Sequence, residues 1–457
     1  MNTDYTEIYN AQKQTFLSGV TKEIDFRKKQ LLKLKNILLT HEDQLCKAVY
    51  QDFNKSKYDV ITTEIGLLQH DIRDALSHIQ SWSKKKRVKT NLLNLPARSY
   101  IYPEPYGQSL IIGAWNYPLL LSLAPCIAAI AAGNTVVLKP SEIAQHTSNV
   151  LAKLINQHFD KAFFHVIEGD AEIVTSLLEF KWDKIFFTGS TQVGKIVYQA
   201  AAKHLTPVTL ELGGKSPAFV TKDCNIDIAV NRIVWGKFLN AGQTCIAPDY
   251  ILVDQAIHDS FLEKLKNRIT AINYTVRDGN YTQIINERHL ERLSKLIPEE
   301  KIFYQETSDI AQRILAPTIL HNIAFSDAIM QEEIFGPILP VISYDNLLEV
   351  IEKVSLLPKP LSCYIFSNSK TIQNEIISRI SFGGGMVNDT VMHITNTYLP
   401  FGGVGDSGVG SYHGKSGFDA FTHYKGVVHK ATWIDPKIKY KFNTEKNLKL
   451  FKKLLRF

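Results

Sequence analysis

The chain has 457 residues, of which 45% are apolar and 21% charged, which is the composition of a globular protein with two or three domains. Residues 437–457 contain eight Lys or Arg residues and one acid, whereas residues 1–436 contain 44 basic and 44 acidic residues. Because the net charge of +7 belongs to this tail, the sequence argues against a nucleic-acid-binding body.

Cysteine usage and the first residues indicate the compartment. The five cysteines suggest no disulfide framework, and neither they nor the scattered histidines have the spacing of metal ligands, so no metal site is predicted. The N-terminal stretch has no secretory apolar core, and its acidic residues argue against a transit peptide. We therefore predict a cytoplasmic protein with reduced thiols.

Helical periodicity dominates the N-terminal part of the chain. Apolar residues recur at three- and four-residue intervals over about residues 24–49 and 65–79, which predicts amphipathic helices. The apolar stretch 118–132 is interrupted by Pro125 and is too short to span a bilayer. It is predicted to be a buried helix.

Between these helices lies a basic and then extended segment. The basic run at residues 84–87 is interpreted as a solvated helix end. Residues 95–105 are predicted to form a linker and a strand, with Tyr100 and Tyr102 on the same side of that strand.

From Ser109 onward, short β-rich runs alternate with helical stretches. The candidate strands are residues 110–112, 135–138, 163–167, 184–187 and 206–210. This alternation predicts an α/β protein with a doubly wound, Rossmann-like parallel sheet. A second α/β segment is expected from residue 213 to about residue 387.

Glu211 ends the last of these β-rich runs. Two glycines follow it directly, in the sequence Glu-Leu-Gly-Gly-Lys-Ser-Pro at 211–217. A carboxylate in such a place can act as a general base. It can equally be a strand-end glutamate that is bound to Lys215 or to backbone.

Cys245 follows 34 positions later, in the sequence Gly-Gln-Thr-Cys-Ile-Ala-Pro at 242–248. Glycine and proline on either side indicate a shaped turn rather than a helix interior or a central strand. A thiol on such a turn can face a cleft and act as a nucleophile. The usual alternative for a free cysteine is a buried, inert side chain.

Together these stretches resemble the paired signatures of the NAD(P)-dependent aldehyde dehydrogenases. Further matches follow in the order of that family: Trp-Asn-Tyr-Pro at 115–118, Leu-Lys-Pro-Ser-Glu at 138–142, Phe-Thr-Gly-Ser-Thr-Gln-Val-Gly at 187–194, Glu-Glu-Ile-Phe-Gly-Pro at 332–337 and Pro-Phe-Gly-Gly-Val-Gly-Asp-Ser-Gly at 400–408. The length, the Cys-Ile-Ala-Pro-Asp-Tyr stretch at 245–250 and Phe-Gly-Gly-Val-Gly most resemble the class 3, fatty-aldehyde branch.

The resemblance implies three catalytic residues. Cys245 would attack the aldehyde and form a thiohemiacetal, and the side-chain amide of Asn116 and the backbone N–H of Cys245 would hold its oxyanion. Glu211 would activate the water that hydrolyses the resulting thioester. Without the other motifs, Asn116 would be interpreted as a turn residue.

The resemblance also implies a dinucleotide site. Gly189, Ser190, Thr191, Gln192, Val193 and Gly194 follow a predicted strand and open a helix, where backbone N–H groups can face a pyrophosphate. Lys139 and Glu142 resemble the pair that holds the adenosine ribose. A carboxylate there favours NAD, while NADP stays possible.

Two more residues are expected around the nicotinamide. Glu333 resembles the residue that holds the nicotinamide ribose, and Phe401 resembles the ring beside the nicotinamide. The alternatives are a solvated pair of glutamates at 332–333 and a core phenylalanine.

The predicted domain organisation follows from the same match. Residues 1–82 and 104–210 are assigned to an NAD-binding domain and residues 211–395 to a catalytic domain. Residues 83–103 and 396–430 are assigned to a small β bridging element for oligomerisation. A homodimer is expected because the apolar extended segment would be exposed to solvent in a monomer.

The basic tail at 437–457 is predicted to be an amphipathic helix. On a helical wheel, Leu450, Phe451, Leu454, Leu455 and Phe457 share one half with Leu448, and Lys446, Lys449, Lys452, Lys453 and Arg456 share the other. This pattern is typical of a helix that lies on a membrane surface. A helix packed on the enzyme or on its partner is an equal alternative, and docking over the substrate entrance is compatible with both.

The sequence thus predicts a cytoplasmic enzyme that oxidises an apolar aldehyde of fatty or carotenoid type to the free acid. If the tail binds a membrane, the enzyme is expected at the inner membrane face. A relative that passes the acyl group to coenzyme A, or one that reduces acyl phosphates, would share the fold. Members that use coenzyme A generally lack a glutamate at the position of Glu211. A catalytically silent binding protein is the third alternative, and the joint presence of Cys245, Glu211 and Asn116 argues against it.

Overall fold

The computed structural model describes residues 5–435, 440 and 444–455. Its helices are α1 (Thr6–Leu17), α2 (Ile24–Thr40), α3 (Glu42–Phe53), α4 (Lys57–Val60), α5 (Gly66–Trp82), α6 (Leu120–Ala132), α7 (Gln145–His158), α8 (Ala171–Leu178), α9 (Thr191–Ala202), α10 (Ile226–Phe238), α11 (His258–Ile272), α12 (Glu287–Lys295), α13 (Leu347–Ser355), α14 (Lys370–Arg379), α15 (Gly414–Ala420) and α16 (Glu445–Leu455).

Three sheets organise these helices. Their strands are β1 (Lys86–Val88), β2 (Ala97–Pro105), β3 (Gln108–Ile112), β4 (Thr135–Lys139), β5 (Phe164–Val166), β6 (Lys184–Thr188), β7 (Val208–Glu211), β8 (Pro217–Val220), β9 (Tyr250–Asp254), β10 (Ile302–Gln305), β11 (Thr318–Leu320), β12 (Ile338–Tyr344), β13 (Ser362–Phe366), β14 (Gly384–Val387), β15 (Gly408–Val409) and β16 (Thr422–Lys430).

The first large sheet has the strand order β15-β7-β6-β3-β4-β5. Strands β3 to β7 pair in parallel, and only the short β15 runs antiparallel, beside β7. The five strands predicted between residues 110 and 210 are therefore confirmed, as is the doubly wound α/β fold. The carboxyl ends of these parallel strands meet at one edge, where such folds bind their ligands.

The second large sheet has the strand order β10-β11-β12-β9-β8-β13-β14. All its pairs are parallel except β10 with β11. It begins directly after the first sheet in the chain, since β8 starts six residues beyond the end of β7. The chain thus passes from one sheet to the other through residues 212–216.

The third sheet is small and antiparallel, with the order β1-β2-β16. It corrects the interpretation of the basic run at 84–87, because α5 ends at Trp82 and Lys86 begins a strand. Arg87 pairs with Tyr100, and the Lys85 ammonium lies 5.1 Å from the Tyr100 ring centroid. Pairing with β2 replaces the solvated helix end that the charges alone had suggested.

The predicted helices are also present. The pattern over 24–49 forms two helices, α2 and α3, which meet at His41. The apolar stretch that contains Pro125 forms α6, and nearly all its side chains are buried. Among the described residues, no helix combines the length and apolarity needed to cross a membrane.

Candidate active site

Glu211 is the last residue of β7, at the carboxyl edge of the six-stranded sheet. Its side chain is buried, and neither carboxylate oxygen has a hydrogen-bond partner within the described part of the chain. Burial raises the pKa of Glu211 well above its usual range. The alternative that Lys215 neutralises it does not hold, because that ammonium donates to Asp249 Oδ2 (2.5 Å) and to two backbone carbonyls.

A tight turn presents Cys245. A 3₁₀ turn covers Leu239–Gly242, where Asn240 and Ala241 have φ angles of 56° and 51°. Gly242 continues with a φ of 71°, and a Cβ atom there would collide with a neighbouring backbone carbonyl. This left-handed backbone reverses the chain sharply, so Cys245 is partly exposed while the residues on either side are buried. The predicted shaped turn is confirmed.

The Cys245 thiol lies near two carboxyl groups. Burial, followed by the charges of Glu333 and Glu211, raises the pKa of Cys245 to about 12. The thiol therefore keeps its proton at neutral pH and must transfer it to an acceptor before it can act as a nucleophile.

Asn116 lies in the loop between β3 and α6 and reaches the turn that carries Cys245. Its buried side-chain amide donates through Nδ2 to the Gln243 carbonyl (3.0 Å), and Asn240 Nδ2 donates to the Asn116 carbonyl (3.0 Å). The Ile285 N–H fixes Gln243 in turn by donating to its Oε1 (3.0 Å). An amide nitrogen carries two N–H groups, so one of them can still donate to a bound group.

Glu333 turns inward beside the same turn. Its carboxylate lies against Gly213, where any side chain would collide with it, and it accepts a hydrogen bond from the Gly214 N–H. Burial, with a contribution from nearby Asp249, raises the pKa of Glu333 to about 8. The glutamates at 332–333 are thus not a solvated pair, since only Glu332 is exposed.

The turn from β6 into α9 has the features of an anion site. Ser190 caps α9, because its Oγ accepts the Val193 N–H (3.4 Å). A Cβ atom at Gly194 would collide with the Leu212 side chain, so glycine lets the helix approach the sheet closely. Residues 189–194 therefore place a helix N-terminus at the carboxyl edge of the sheet, where it favours a negatively charged group.

Lys139 and Glu142, the two residues expected at the adenosine ribose, form an ion pair. Lys139 ends β4, is 1% exposed and donates to Glu142 Oε2 (2.5 Å). The Glu142 side chain is 45% exposed, so its carboxylate faces outward at the same sheet edge as the N-terminus of α9. The two groups can hold a ribose between a cation and a carboxylate.

Phe401 packs among aromatic rings. Its ring stacks on His413 at a centroid distance of 5.1 Å and on His393 at 6.0 Å. Burial lowers the pKa of each histidine to about 4, so both rings are neutral. Phe401 is buried as well, which is compatible both with a core residue and with a ring beside a cofactor.

Lys237, a buried lysine on α10, is not among the residues predicted from the sequence. Its ammonium has no hydrogen-bond partner within the described residues, and burial lowers its pKa to about 8, against the charges of Asp249 and Glu333. A lysine between Gly236 and Phe238 in an apolar run was the signal that could have singled it out.

Comparisons with known proteins point to one family. Residues 2–427 match the model of the aldehyde dehydrogenase family. The chain is 45% identical over 446 residues to the 4,4′-diaponeurosporen-aldehyde dehydrogenase of Staphylococcus aureus, covering 95% of each protein. It is 44% identical over 421 residues to aldehyde dehydrogenase family 3 member A2 of Pongo abelii, covering 92% of this chain and 87% of that one.

A solved structure matches equally well. The substrate-bound state of AldH from Staphylococcus aureus superimposes with a TM-score of 0.96 at 42% identity, covering 99% of this chain and 100% of that chain. Likeness at this level extends through both large sheets and the small one.

Proposed function

This chain belongs to the aldehyde dehydrogenase family, and we propose that it oxidises a long, apolar aldehyde to the free carboxylic acid through a cysteine thioester. It is an NAD(P)-dependent oxidoreductase that acts on the aldehyde group, and it is most similar to the class 3 branch. The observation that carries the proposal is the convergence of Cys245, Glu211 and Asn116 at one sheet edge, with Glu211 unpaired within the described residues.

Cys245 begins the reaction. The thiol loses its proton to the neighbouring Glu333 carboxylate, which leaves Glu211 for the later step, and its sulfur attacks the aldehyde carbon to form a thiohemiacetal. The Asn116 amide and the Cys245 N–H stabilise the oxyanion that develops on the carbonyl oxygen. Both donors are fixed by the backbone before the substrate arrives, so little reorganisation is needed.

Glu211 completes the reaction. A bound NAD would supply the acceptor for the hydride that leaves the substrate carbon. Cys245 then holds a thioester, and Glu211 removes a proton from the water that attacks it. The carbon–sulfur bond breaks, the acid leaves and Cys245 regains its proton. The free oxygens of Glu211 support this role, since an ion-paired carboxylate would be a weaker base.

The residues present fit a dinucleotide. The N-terminus of α9 would receive the pyrophosphate, the Lys139–Glu142 pair would hold the adenosine ribose, and Glu333 would hold the nicotinamide ribose beside Phe401. The family uses NAD or NADP. The exposed carboxylate of Glu142 repels a 2′-phosphate, so we expect NAD to be preferred.

The long apolar substrate is supported by the named relative from Staphylococcus aureus, a dehydrogenase of a carotenoid aldehyde. The family 3 relative supports the same branch. A coenzyme-A-acylating reaction is the second candidate, and the unpaired, buried Glu211 argues against it because that reaction needs no water-activating base.

A chain-length series of aldehydes, assayed with NAD and NADP in parallel, tests the proposal. We expect NADH formation that improves with chain length, and a free acid as the product, without coenzyme A. Reduction of the cofactor only when coenzyme A or phosphate is added would exclude hydrolysis. The absence of aldehyde oxidation with every substrate and either cofactor would leave the silent binding protein as the better account.

The three sheets support an assignment of domains. We propose that the six-stranded sheet belongs to the NAD-binding domain of residues 1–82 and 104–210, and the seven-stranded sheet to the catalytic domain of residues 211–395. The β1-β2-β16 sheet would be the bridging element of residues 83–103 and 396–430. Within the described residues, β16 pairs on one edge only, with β2, and Tyr424 and Val428 on it are 41% and 48% exposed. A second copy of the chain that covers this edge would form the homodimer.

The tail supports a peripheral membrane role at the inner face of a cytoplasmic enzyme. Helix α16 carries Lys446, Lys449, Lys452 and Lys453, while Leu448, Leu450 and Leu455 are each at least 45% exposed. The described part of the chain does not include Arg456, Phe457 or the side chains of Phe451 and Leu454, so their places on the helical wheel stay predictions. Exposed leucines among lysines match an anionic lipid surface, from which an apolar aldehyde could be taken up.

A further inference from the structure

A buried ion pair lies behind the active-site turn and takes no part in the steps above. Lys55 and Glu64 are 1% and 0% exposed, and Lys55 Nζ donates to Glu64 Oε1 at 2.7 Å. Burying two charges is energetically costly, and replacing such a pair by apolar residues is often neutral or stabilising. Stability alone is therefore a weak reason for this pair to be there.

One branch of contacts runs from Glu64 to the Asn116 loop. Glu64 Oε2 accepts the N–H groups of Leu119 (2.9 Å) and Leu120 (3.2 Å), where α6 begins. Glu64 thus replaces the missing side-chain cap of that helix, since an N-terminal N–H group needs an acceptor. Asn116 lies three residues before Leu119, so the direction of its amide depends on how this turn is held.

The other branch runs from Lys55 to the Cys245 turn. The Lys55 ammonium lies 3.9 Å from the centroid of the Tyr117 ring, a cation–π contact. The Tyr117 hydroxyl and Thr244 Oγ1 are hydrogen-bonded at 2.7 Å. Thr244 precedes Cys245, so this bond fixes the peptide whose N–H is the second oxyanion donor.

Local backbone geometry places Glu64 at this junction. Residues Ile61–Ile65 form a single π-helical turn between α4 and α5, and the Gly66 N–H closes it by donating to the Ile61 carbonyl. A Cβ atom at Gly66 would come within 2.8 Å of that carbonyl oxygen, so the turn favours glycine. Such one-turn insertions are frequent at functional sites because they redirect a side chain.

We infer that Lys55 and Glu64 are positioning residues that hold both hydrogen-bond donors of the oxyanion site, the Asn116 amide and the Cys245 N–H, in one fixed arrangement. The inference rests on the proposed function, in which those two donors stabilise the thiohemiacetal oxyanion. Neither residue touches the reacting atoms in this account. Each acts through a neighbour, Glu64 through the start of α6 and Lys55 through Tyr117.

Two reactions of the same thiol separate this role from a general loss of structure. Hydrolysis of an activated ester such as p-nitrophenyl acetate develops an oxyanion and needs no cofactor. Alkylation by iodoacetamide is a displacement at carbon and develops no oxyanion. A positioning role for the oxyanion donors therefore affects the first reaction and spares the second.

The test compares Lys55→Met/Glu64→Leu, which leaves no lone buried charge, with the wild-type enzyme. A second variant, Glu64→Gln, keeps an acceptor for the α6 amides. The matched control is Lys57→Met/Asp43→Asn, which removes an ion pair from the same region with side chains that are 56% and 88% exposed. Far-ultraviolet circular dichroism and thermal unfolding identify which variants are folded.

We expect kcat for aldehyde oxidation and the ester burst to fall about tenfold to hundredfold in the pair variant, since small displacements of catalytic groups cost about that much. KM and the alkylation rate should stay within about threefold, and the control should match the wild type. When Asn116→Ala is also present, the pair variant should lower kcat by a distinctly smaller factor, because one of the two oxyanion donors is already gone.

Unchanged kcat in a folded pair variant would overturn the inference, and so would a fall in alkylation equal to the fall in ester hydrolysis. If the double variant does not fold, the same criteria apply to Glu64→Gln, which keeps the acceptor for the α6 amides but removes the charge that holds Lys55 against Tyr117. A wild-type enzyme that oxidises no aldehyde would instead refute the proposed function. If the wild type oxidises aldehydes and the pair variant has the same kcat, this inference is refuted while the proposed function stands.

Discussion

The side-chain amide of Asn116 donates to the backbone carbonyl of Gln243 over 3.0 Å and so joins two loops that are 127 residues apart in the chain. One loop follows β3 in the first large sheet, and the other precedes β9 in the second. This bond fixes a neutral donor next to Cys245 at the junction of the two sheets. A role for that donor in the chemistry can be measured directly.

Replacing Asn116 by alanine should lower kcat by about a hundredfold to a thousandfold, because one of two oxyanion donors is removed. The rate at which iodoacetamide alkylates Cys245 should change little, since that reaction develops no oxyanion. Asn149→Ala, on the exposed face of α7, is the matched control. A kcat within about threefold of the wild type would argue against the oxyanion role of Asn116.

The pH dependence of kcat/KM should show raised pKa values. Burial raises the pKa of Glu211 well above its usual range, that of Glu333 to about 8 and that of Cys245 to about 12. Each of these groups must be deprotonated to act as a base or a nucleophile, and each stays protonated to a higher pH than usual. Activity should therefore rise from about pH 6 to about pH 9. A flat profile over that range, with the enzyme stable throughout, would contradict these shifts.

Assembly is predicted from the open edge of β16. Light scattering at micromolar concentration should give a particle of twice the 51.7 kDa chain mass. Val428→Glu should shift the enzyme toward the monomer, because it places a charge on that edge. Leu205→Glu is the control, since Leu205 is 91% exposed and lies after α9. A wild-type particle of 51.7 kDa would exclude the dimer at this concentration.

Truncation after Asp435 tests the membrane role of the tail. The full-length enzyme should pellet with anionic vesicles at low salt and less so at high salt, because the lysines of α16 contribute about 1 kcal/mol each near such a surface. The truncated enzyme should stay in the supernatant and still oxidise a short, water-soluble aldehyde. Vesicles without anionic lipid provide the control. Equal pelleting of both proteins would remove the tail as a lipid-binding element.

Local sequence was sufficient for much of the fold and for the turns that carry Cys245 and Glu211. Short runs of β-branched residues predicted strands β3 to β7, and glycines around Cys245 and Glu211 predicted the turns that present them. These features depend on neighbours in the chain. Strand β1 was misread because its charges matched a helix end, and only pairing with the distant β2 decides its conformation.

The buried charges were beyond the reach of local patterns. Lys55 and Glu64 carry the charges of ordinary surface residues in the sequence, and only the tertiary packing encloses them. Tyr117 and Thr244 meet across 127 residues, which no spacing rule could anticipate. The partners of the active-site residues are thus a property of the tertiary structure.

The role of Glu211 as the base that releases the acid is tested most directly by pre-steady-state kinetics of Glu211→Gln. A glutamine of nearly the same shape cannot accept the proton of water, whereas attack by Cys245 and hydride transfer do not need that acceptor. We expect a burst of about one NADH per active site, followed by a steady rate at least about a hundredfold below that of the wild type. Glu172→Gln, an exposed glutamate on α8, should behave like the wild type. Full steady-state turnover by Glu211→Gln, without a burst, would contradict the account.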